Sequence, residues 1–246
     1  MKLTKEQLLS IGQLNLNCYK DEKWFGKHKC IYDPNILDNY EQFKIGQEEG
    51  HFGSYNDVAY IIIRGSSSWA DWKSNFDFEL ITEKIKTNAK VHKGFRSGWK
   101  QIKPYVYDKI APFKKVVISG HSRGAAVATI GAENISFDFM SKDITLVALS
   151  SPMAGNAEFV RLVDGRIPDI YRIWLGTDPI VKTPPWCFGY RHVHGGIWLH
   201  GNNLLPWYWP GLAISAIGDI TGLPLGYPGV HYPDKVLQAI KDAKDI

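Results

Sequence analysis

With 246 residues, 44% of them hydrophobic and 22% charged, the chain can bury a sizeable core, and this composition excludes a disordered segment, a collagen and a coiled coil. A net charge of +4 is too small to point to nucleic acid, and there is no run of about 18 apolar residues to cross a membrane. Nine Trp within a 13% aromatic content hint at an apolar ligand or interface rather than a phosphate substrate.

In chain order, Thr4 followed by Gln7 reads as a capping box that opens a helix over 5–20, with Leu8, Leu9, Ile11 and Leu14 on one side. The N-terminal segment has no uninterrupted apolar stretch and no small-residue cleavage site, so a mature chain without a signal peptide is expected, cytoplasmic or exported by a non-classical route. Cys18, Cys30 and Cys187 make no disulfide framework; a Cys18–Cys30 bridge stands beside three reduced thiols as an alternative. Residues 21–56 are polar, with aromatic and Gly punctuation, and give no assignment. VAYIIIRG (58–65), KKVVISG (114–120), ITLVALS (144–150) and YRIWLG (171–176) are apolar, β-branched runs typical of strands buried on both faces. RHVHGGIWL (191–199) reads as a fifth strand. Helical stretches fall near 98–112, after 122, over 156–163 and over Pro233–Ala243. This alternation predicts an α/β architecture, a mostly parallel central sheet with helices on both faces. No linker or repeat divides 1–246, which reads as one domain.

Two segments are compositionally unusual. Between Glu83 and Lys115 ten basic residues face two acidic ones; the stretch is either a solvated surface or an attraction for an anionic lipid surface. Residues 204–230, almost uncharged and rich in Trp, Pro and Gly, are either core filling or the apolar wall of a cleft, with Trp207 as a substrate-contact candidate.

Gly120-His121-Ser122-Arg123-Gly124 fits G-x-S-x-G, a weak pattern that gains meaning from its context. The strand VVIS runs into it and a helix of small residues leaves it, which puts Ser122 on a sharp turn where only Gly at both flanks avoids clashes. The following helix N-terminus aims free N–H groups at developing negative charge.

With this elbow in view, the sequence resembles the class 3 (fungal-type) lipases of the α/β-hydrolase fold. IRGSSSWADWKSNFDF (63–78), VHKGFRSGW (91–99), LSSPMAGNAEF (149–159) and GTDPIVKTPP (176–185) are similar to further family segments and follow the family order. The resemblance implies a serine carboxylic-ester hydrolase acting on triacylglycerol or phospholipid, with feruloyl or small esters as an alternative. A hydroxyl is a weak nucleophile without an imidazole base and an orienting carboxylate, and in this fold these follow in the order Ser, acid, His. Asp178, directly after strand 171–175, matches the family's acid. Asp164 and Asp169 precede that strand, and Asp219 and Asp234 follow no recognisable one.

Four histidines come after the acid: His192, His194, His200 and His231. His231, just before the last helix, matches the family's catalytic histidine, with His200 next; His192 and His194 read as structural. Ser66 matches the family's oxyanion residue, and the amide of Arg123 supplies the second donor. Residues 67–75 match the lid position, with Trp69 and Trp72 available to cover an acyl groove. Arg123 and Ala125 depart from the commonest family elbow, which carries an apolar residue and a second glycine there. No metal site, calcium loop or dinucleotide fingerprint is present, so no cofactor is expected. From a different class, the competing reading is a catalytically silent protein that binds lipid surfaces.

Overall fold

A computed structural model describes residues 1–19, 37–66, 78–84, 87–199 and 230–243. Helix α1 (Lys5–Asn17) begins at the expected capping box: the Thr4 hydroxyl accepts the Gln7 N–H at 3.3 Å, and the Gln7 side chain accepts the Thr4 N–H at 2.9 Å. Two strands follow that were not legible in the sequence, β1 (Asp38–Ile45) and β2 (Glu48–Tyr55), which pair antiparallel with each other. The strand β3 (Val58–Ile63) is buried at every position, as its unbroken apolar run requires.

Strands β4 (Leu80–Lys84) and β5 (Ala89–His92) precede helix α2 (Lys93–Ile110), strand β6 (Lys115–His121) and helix α3 (Arg123–Asp138). Then come β7 (Asp143–Leu149), the short β8 (Gly155–Asn156), helix α4 (Ala157–Arg166) and β9 (Asp169–Leu175). The described chain ends with β10 (Tyr190–Arg191), β11 (Gly196–Leu199) and helix α5 (Pro233–Asp242). Residues 191–199, expected as one strand, divide between two sheets: β10 pairs with β8 and β11 pairs with β9.

The main sheet has the order β1-β2-β3-β6-β7-β9-β11, antiparallel through the first three strands and parallel from β3 onward. Strands β10-β8-β5-β4 form a smaller antiparallel sheet. Side chains alternate across the central strands with period two. Ile61, Ile63, Val116 and Ile118 meet Trp99, Ile102 and Val106 of α2, the alanines of α3 and Phe159 of α4 on one face. Tyr60, Ile62, Val117 and Val147 meet Leu8, Ile11 and Leu14 of α1 and Val236 and Ile240 of α5 on the other. Helices therefore cover both faces, and α5 is held against α1 by apolar contacts.

Four residues of the basic stretch meet carboxylates. Lys93 meets Glu79 at 2.6 Å, Arg96 meets Glu83, Lys103 meets Asp138 at 2.9 Å and Lys109 meets Glu41 at 2.8 Å. Among the described residues no helix is long and apolar enough to cross a membrane, and no group of His, Cys, Asp and Glu could hold a metal ion. Cys18 is half-buried and Cys187 exposed; Cys30 lies outside the described residues, as does nearly all of 204–230.

Candidate active site

Ser122 sits between the end of β6 and the first turn of α3, with φ 57° and ψ −129°. That is a strained conformation for a residue with a side chain, costing about 1–3 kcal/mol, and such strain persists only where surrounding contacts enforce it. The backbone packs closely on both sides of Ser122. A Cβ on Gly120 would lie 2.4 Å from the Gly124 carbonyl carbon, and one on Gly124 would lie 2.2 Å from the Ile63 carbonyl oxygen. Both flanking positions are thus closed to any other residue, and the Ser122 N–H is held by the Leu149 carbonyl at 2.9 Å.

The acid follows β9, the parallel strand two along from β6 in the sheet. Asp178 follows β9 by three residues and its side chain is fully buried. One carboxylate oxygen accepts the Ile180 N–H at 2.9 Å, and the other meets His231 Nδ1 at 2.9 Å. A buried carboxylate is tolerated when its oxygens are satisfied in this way. His231 directly precedes the α5 cap, so docking of α5 on α1 sets its place. Its Nε2 lies 2.8 Å from Ser122 Oγ. With Nδ1–H donating to Asp178, Nε2 is left as the acceptor for the serine proton. Ser122, His231 and Asp178 form a continuous hydrogen-bonded chain from hydroxyl to carboxylate, with the geometry that general-base activation of a serine needs.

Arg123 is the first residue of α3, where a backbone N–H has no acceptor within the helix. Its guanidinium grips Glu48 of β2 bidentately, one bond measuring 2.9 Å and the other running from Nη2 to Oε1. The Glu48 side chain is fully buried. Ser66 follows Gly65, whose own backbone packs on the elbow: a Cβ there would lie 2.5 Å from the His121 carbonyl oxygen and 3.1 Å from Ser122 Cβ. The loop after β3 thus borders the serine. Trp69, Trp72, Trp207 and His200 lie outside the described residues.

The other histidines are spent elsewhere. His192 Nε2 donates to the Val181 carbonyl at 2.5 Å and so anchors the turn Ile180–Lys182 after Asp178. Burial, then the nearby Arg172 charge, pushes its pKa down to about 3. His194 Nδ1 meets Asp164 at 2.8 Å, and Asp169 pairs with the N-terminal ammonium. His92 caps α2 by accepting the Gly94 N–H at 3.0 Å, a local role for the VHKGF segment. Two side chains beside the site went unnoticed in the sequence. The ring of His121 lies 4.8 Å from that of His231, and Tyr19 stands edge-on to His121 at 5.7 Å. Burial, then the neighbouring His231, holds His121 well below the ordinary imidazole range, so it is neutral.

A mostly parallel sheet with helices on both faces and a serine on a strand-to-helix elbow is the α/β-hydrolase architecture. The lipase (class 3) family model matches residues 60–188. The chain belongs to the class 3 lipase family. It is 33% identical over 150 residues to a secreted mono- and diacylglycerol lipase 1 of Fusarium solani, an alignment covering 58% of this chain and 44% of that one. It is 29% identical over 162 residues to a lipase of Rhizomucor miehei, covering 61% and 44%. The chain thus spans less than half the length of these two relatives. Among solved structures, a triacylglycerol lipase whose catalytic centre is formed by a serine protease triad superposes with a TM-score of 0.70 at 22% identity, over 81% of this chain and 83% of that one. The lipase from Rhizopus microsporus var. chinensis superposes with a TM-score of 0.68 at 19% identity, over 92% and 85%.

Proposed function

We propose that this chain is a serine carboxylic-ester hydrolase that cleaves acyl bonds of lipid esters. His231 takes the proton of Ser122 as the oxygen attacks the ester carbonyl, and Asp178 stabilises the resulting imidazolium. The amides of Ser66 and Arg123 hold the oxyanion. The imidazolium then protonates the leaving alcohol, and water admitted to the same base releases the fatty acid from Ser122. The observation that carries this reading is the unbroken contact from Ser122 Oγ through His231 to Asp178, at 2.8 and 2.9 Å.

Family membership favours glycerides as substrates, and the name of the Fusarium solani relative points to mono- and diacylglycerols. The Fusarium solani and Malassezia restricta relatives are named as secreted, which favours export of this chain too. Peripheral contact with an anionic lipid surface belongs to the same reading, although the carboxylate partners of Lys93, Arg96, Lys103 and Lys109 reduce what the basic stretch offers. Labelling by a fluorophosphonate probe, abolished in Ser122→Ala, tests the activated serine; an unlabelled wild type would instead favour a silent lipid-binding protein.

A panel of mono-, di- and triacylglycerols, phospholipids, feruloyl esters and short soluble esters tests the substrate class. With Trp69 and Trp72 as lid residues, specific activity is expected to rise when the ester passes from monomer to micelle, and Trp69→Ala with Trp72→Ala should flatten that rise. A rate that follows monomer concentration smoothly, with no step at aggregation, would count against the lid.

A further inference from the structure

Three hydrogen bonds connect the two sides of the site behind the reacting atoms. The Gly65 N–H donates to the Tyr19 hydroxyl oxygen at 2.9 Å, Tyr19 Oη meets His121 Nδ1 at 3.0 Å, and His121 Nε2 meets the backbone carbonyl of His231 at 2.7 Å. The chemistry of the two ends determines every proton between them. An amide can only donate and a carbonyl can only accept. His121 must therefore carry its proton on Nε2 to reach the His231 carbonyl. As a neutral ring it then leaves Nδ1 as an acceptor, so the Tyr19 hydroxyl, already accepting from Gly65, donates to His121. The direction runs without interruption from the loop after β3 to the base.

We propose that Tyr19 and His121 are positioning residues that align the oxyanion-hole loop and the backbone of His231 on the nucleophile elbow. The inference rests on the hydrolase reading above. Gly65 is the residue before Ser66, so the bond to Tyr19 orients the chain that delivers the Ser66 amide. The bond from His121 holds the backbone of His231, whose ring is oriented separately by Asp178. His121 is itself covalently joined to Ser122. Nucleophile, base and oxyanion donor are thus referred to one framework, and misplacement of about 1 Å in such a framework can cost about 100-fold in rate. Packing alone does not call for a phenol and an imidazole here, since an apolar ring would fill the same space without buried polar atoms to satisfy. Gly65 fits the same account: a Cβ there would lie 2.5 Å from the Tyr19 hydroxyl oxygen and equally close, at 2.5 Å, to the His121 carbonyl oxygen, a backbone atom that cannot swing aside.

The test uses Tyr19→Phe, His121→Ala and the conservative His121→Gln, which keeps an N–H for the His231 carbonyl. On a soluble short-chain ester, Tyr19→Phe and His121→Ala are expected to lower kcat by about 10–100-fold with KM within about twofold. His121→Gln should recover most of the loss, and Tyr19→Phe should stay folded with a melting temperature lowered by only about a few degrees, the cost of the two buried groups left without the hydroxyl. In the full chain labelled with 15N-histidine, a neutral Nε2–H signal that vanishes in His121→Gln is expected at neutral pH; Tyr19→Phe should keep that tautomer, which the His231 carbonyl still requires, and shift the Nδ1 resonance through loss of its donor. An Nδ1–H or doubly protonated His121, or an unchanged kcat in folded Tyr19→Phe, overturns the proposal. The NMR readout is independent of turnover: if fluorophosphonate fails to label the wild type, the hydrolase reading falls while the hydrogen-bond direction is still measured.

Discussion

At the scale of single residues, the site divides into groups that react and groups that make room for them. In the proposed mechanism His231 acts as base, acid and imidazolium at once, so His231→Ala is expected to lower kcat on a soluble ester by about 10³-fold or more. Asp178→Asn would keep the shape but offer an N–H to His231 Nδ1 or force the wrong tautomer, and a loss of about 10⁴-fold is expected. Steady-state kinetics with stability measured in parallel checks both; an active His231→Ala would remove it from the triad. Gly124 reacts with nothing, yet a Cβ there would meet the Ile63 carbonyl oxygen at 2.2 Å, a backbone atom that cannot swing away. Gly124→Ala should therefore destabilise the fold by about 1–3 kcal/mol or more, by denaturant titration, and slow the reaction by displacing Ser122.

At the scale of elements, α3 starts with an arginine although a helix N-terminus disfavours positive charge. The explanation is Glu48 at the start of β2, fully buried and gripped by both Arg123 nitrogens. Arg123→Leu restores the apolar residue usual in the family elbow but strands a buried carboxylate, and a loss of about 3–5 kcal/mol is expected. Arg123→Leu combined with Glu48→Leu removes both charges and should recover much of that loss. A double-mutant cycle in denaturant measures the coupling; additive single effects would show that the pair does not act as a unit. The end of α2 is treated in a comparable way from outside the helix. The Lys142 ammonium donates to the carbonyls of Ile110 at 2.9 Å, Ala111 at 3.2 Å and Phe113 at 2.5 Å, so a residue before β7 closes a helix more than thirty positions upstream.

At the scale of the whole molecule, two histidines kept neutral by burial make stability depend on pH. The pKa of His192 is about 3 in the folded chain and that of His121 is lowered in the same direction, against an ordinary value of 6.5. As pH falls below about 6.5 the unfolded chain binds protons that the folded chain does not, so their contribution is intact above that value and lost below it. Each group adds a slope of up to about 1.4 kcal/mol per pH unit. Carboxylates held low in the fold, Glu41 by Lys109 and Tyr105 and Glu49 by Lys44, add their own loss only at more acidic pH. Denaturant unfolding at pH 7.5 and 5.5 should show the decline, and His192→Gln should make it shallower. An equal slope in that variant would mean that His192 is accessible to protons in the fold.

Features with a local cause are legible in the residues alone. β3, β6 and β7 are apolar runs that only a doubly covered strand accommodates, the Thr4–Gln7 cap starts α1, and Gly at 120 and 124 makes the elbow sterically feasible. The candidate residues Ser122 and Asp178 could be named because the elbow motif and the family resemblance single them out and both follow a strand of the parallel sheet. Features with a distant cause arise only once the chain is folded. β2 is buried without a run of β-branched residues because its neighbours cover it, and residues 191–199 divide between two sheets because each half finds a different partner strand. The Arg123–Glu48 pair joins positions 75 apart, and the bonds from Tyr19 to His121 and from His121 to His231 join positions 102 and 110 apart. No spacing or periodicity records such contacts; they exist because packing α1, β2 and α5 around the elbow leaves buried polar groups that must find one another.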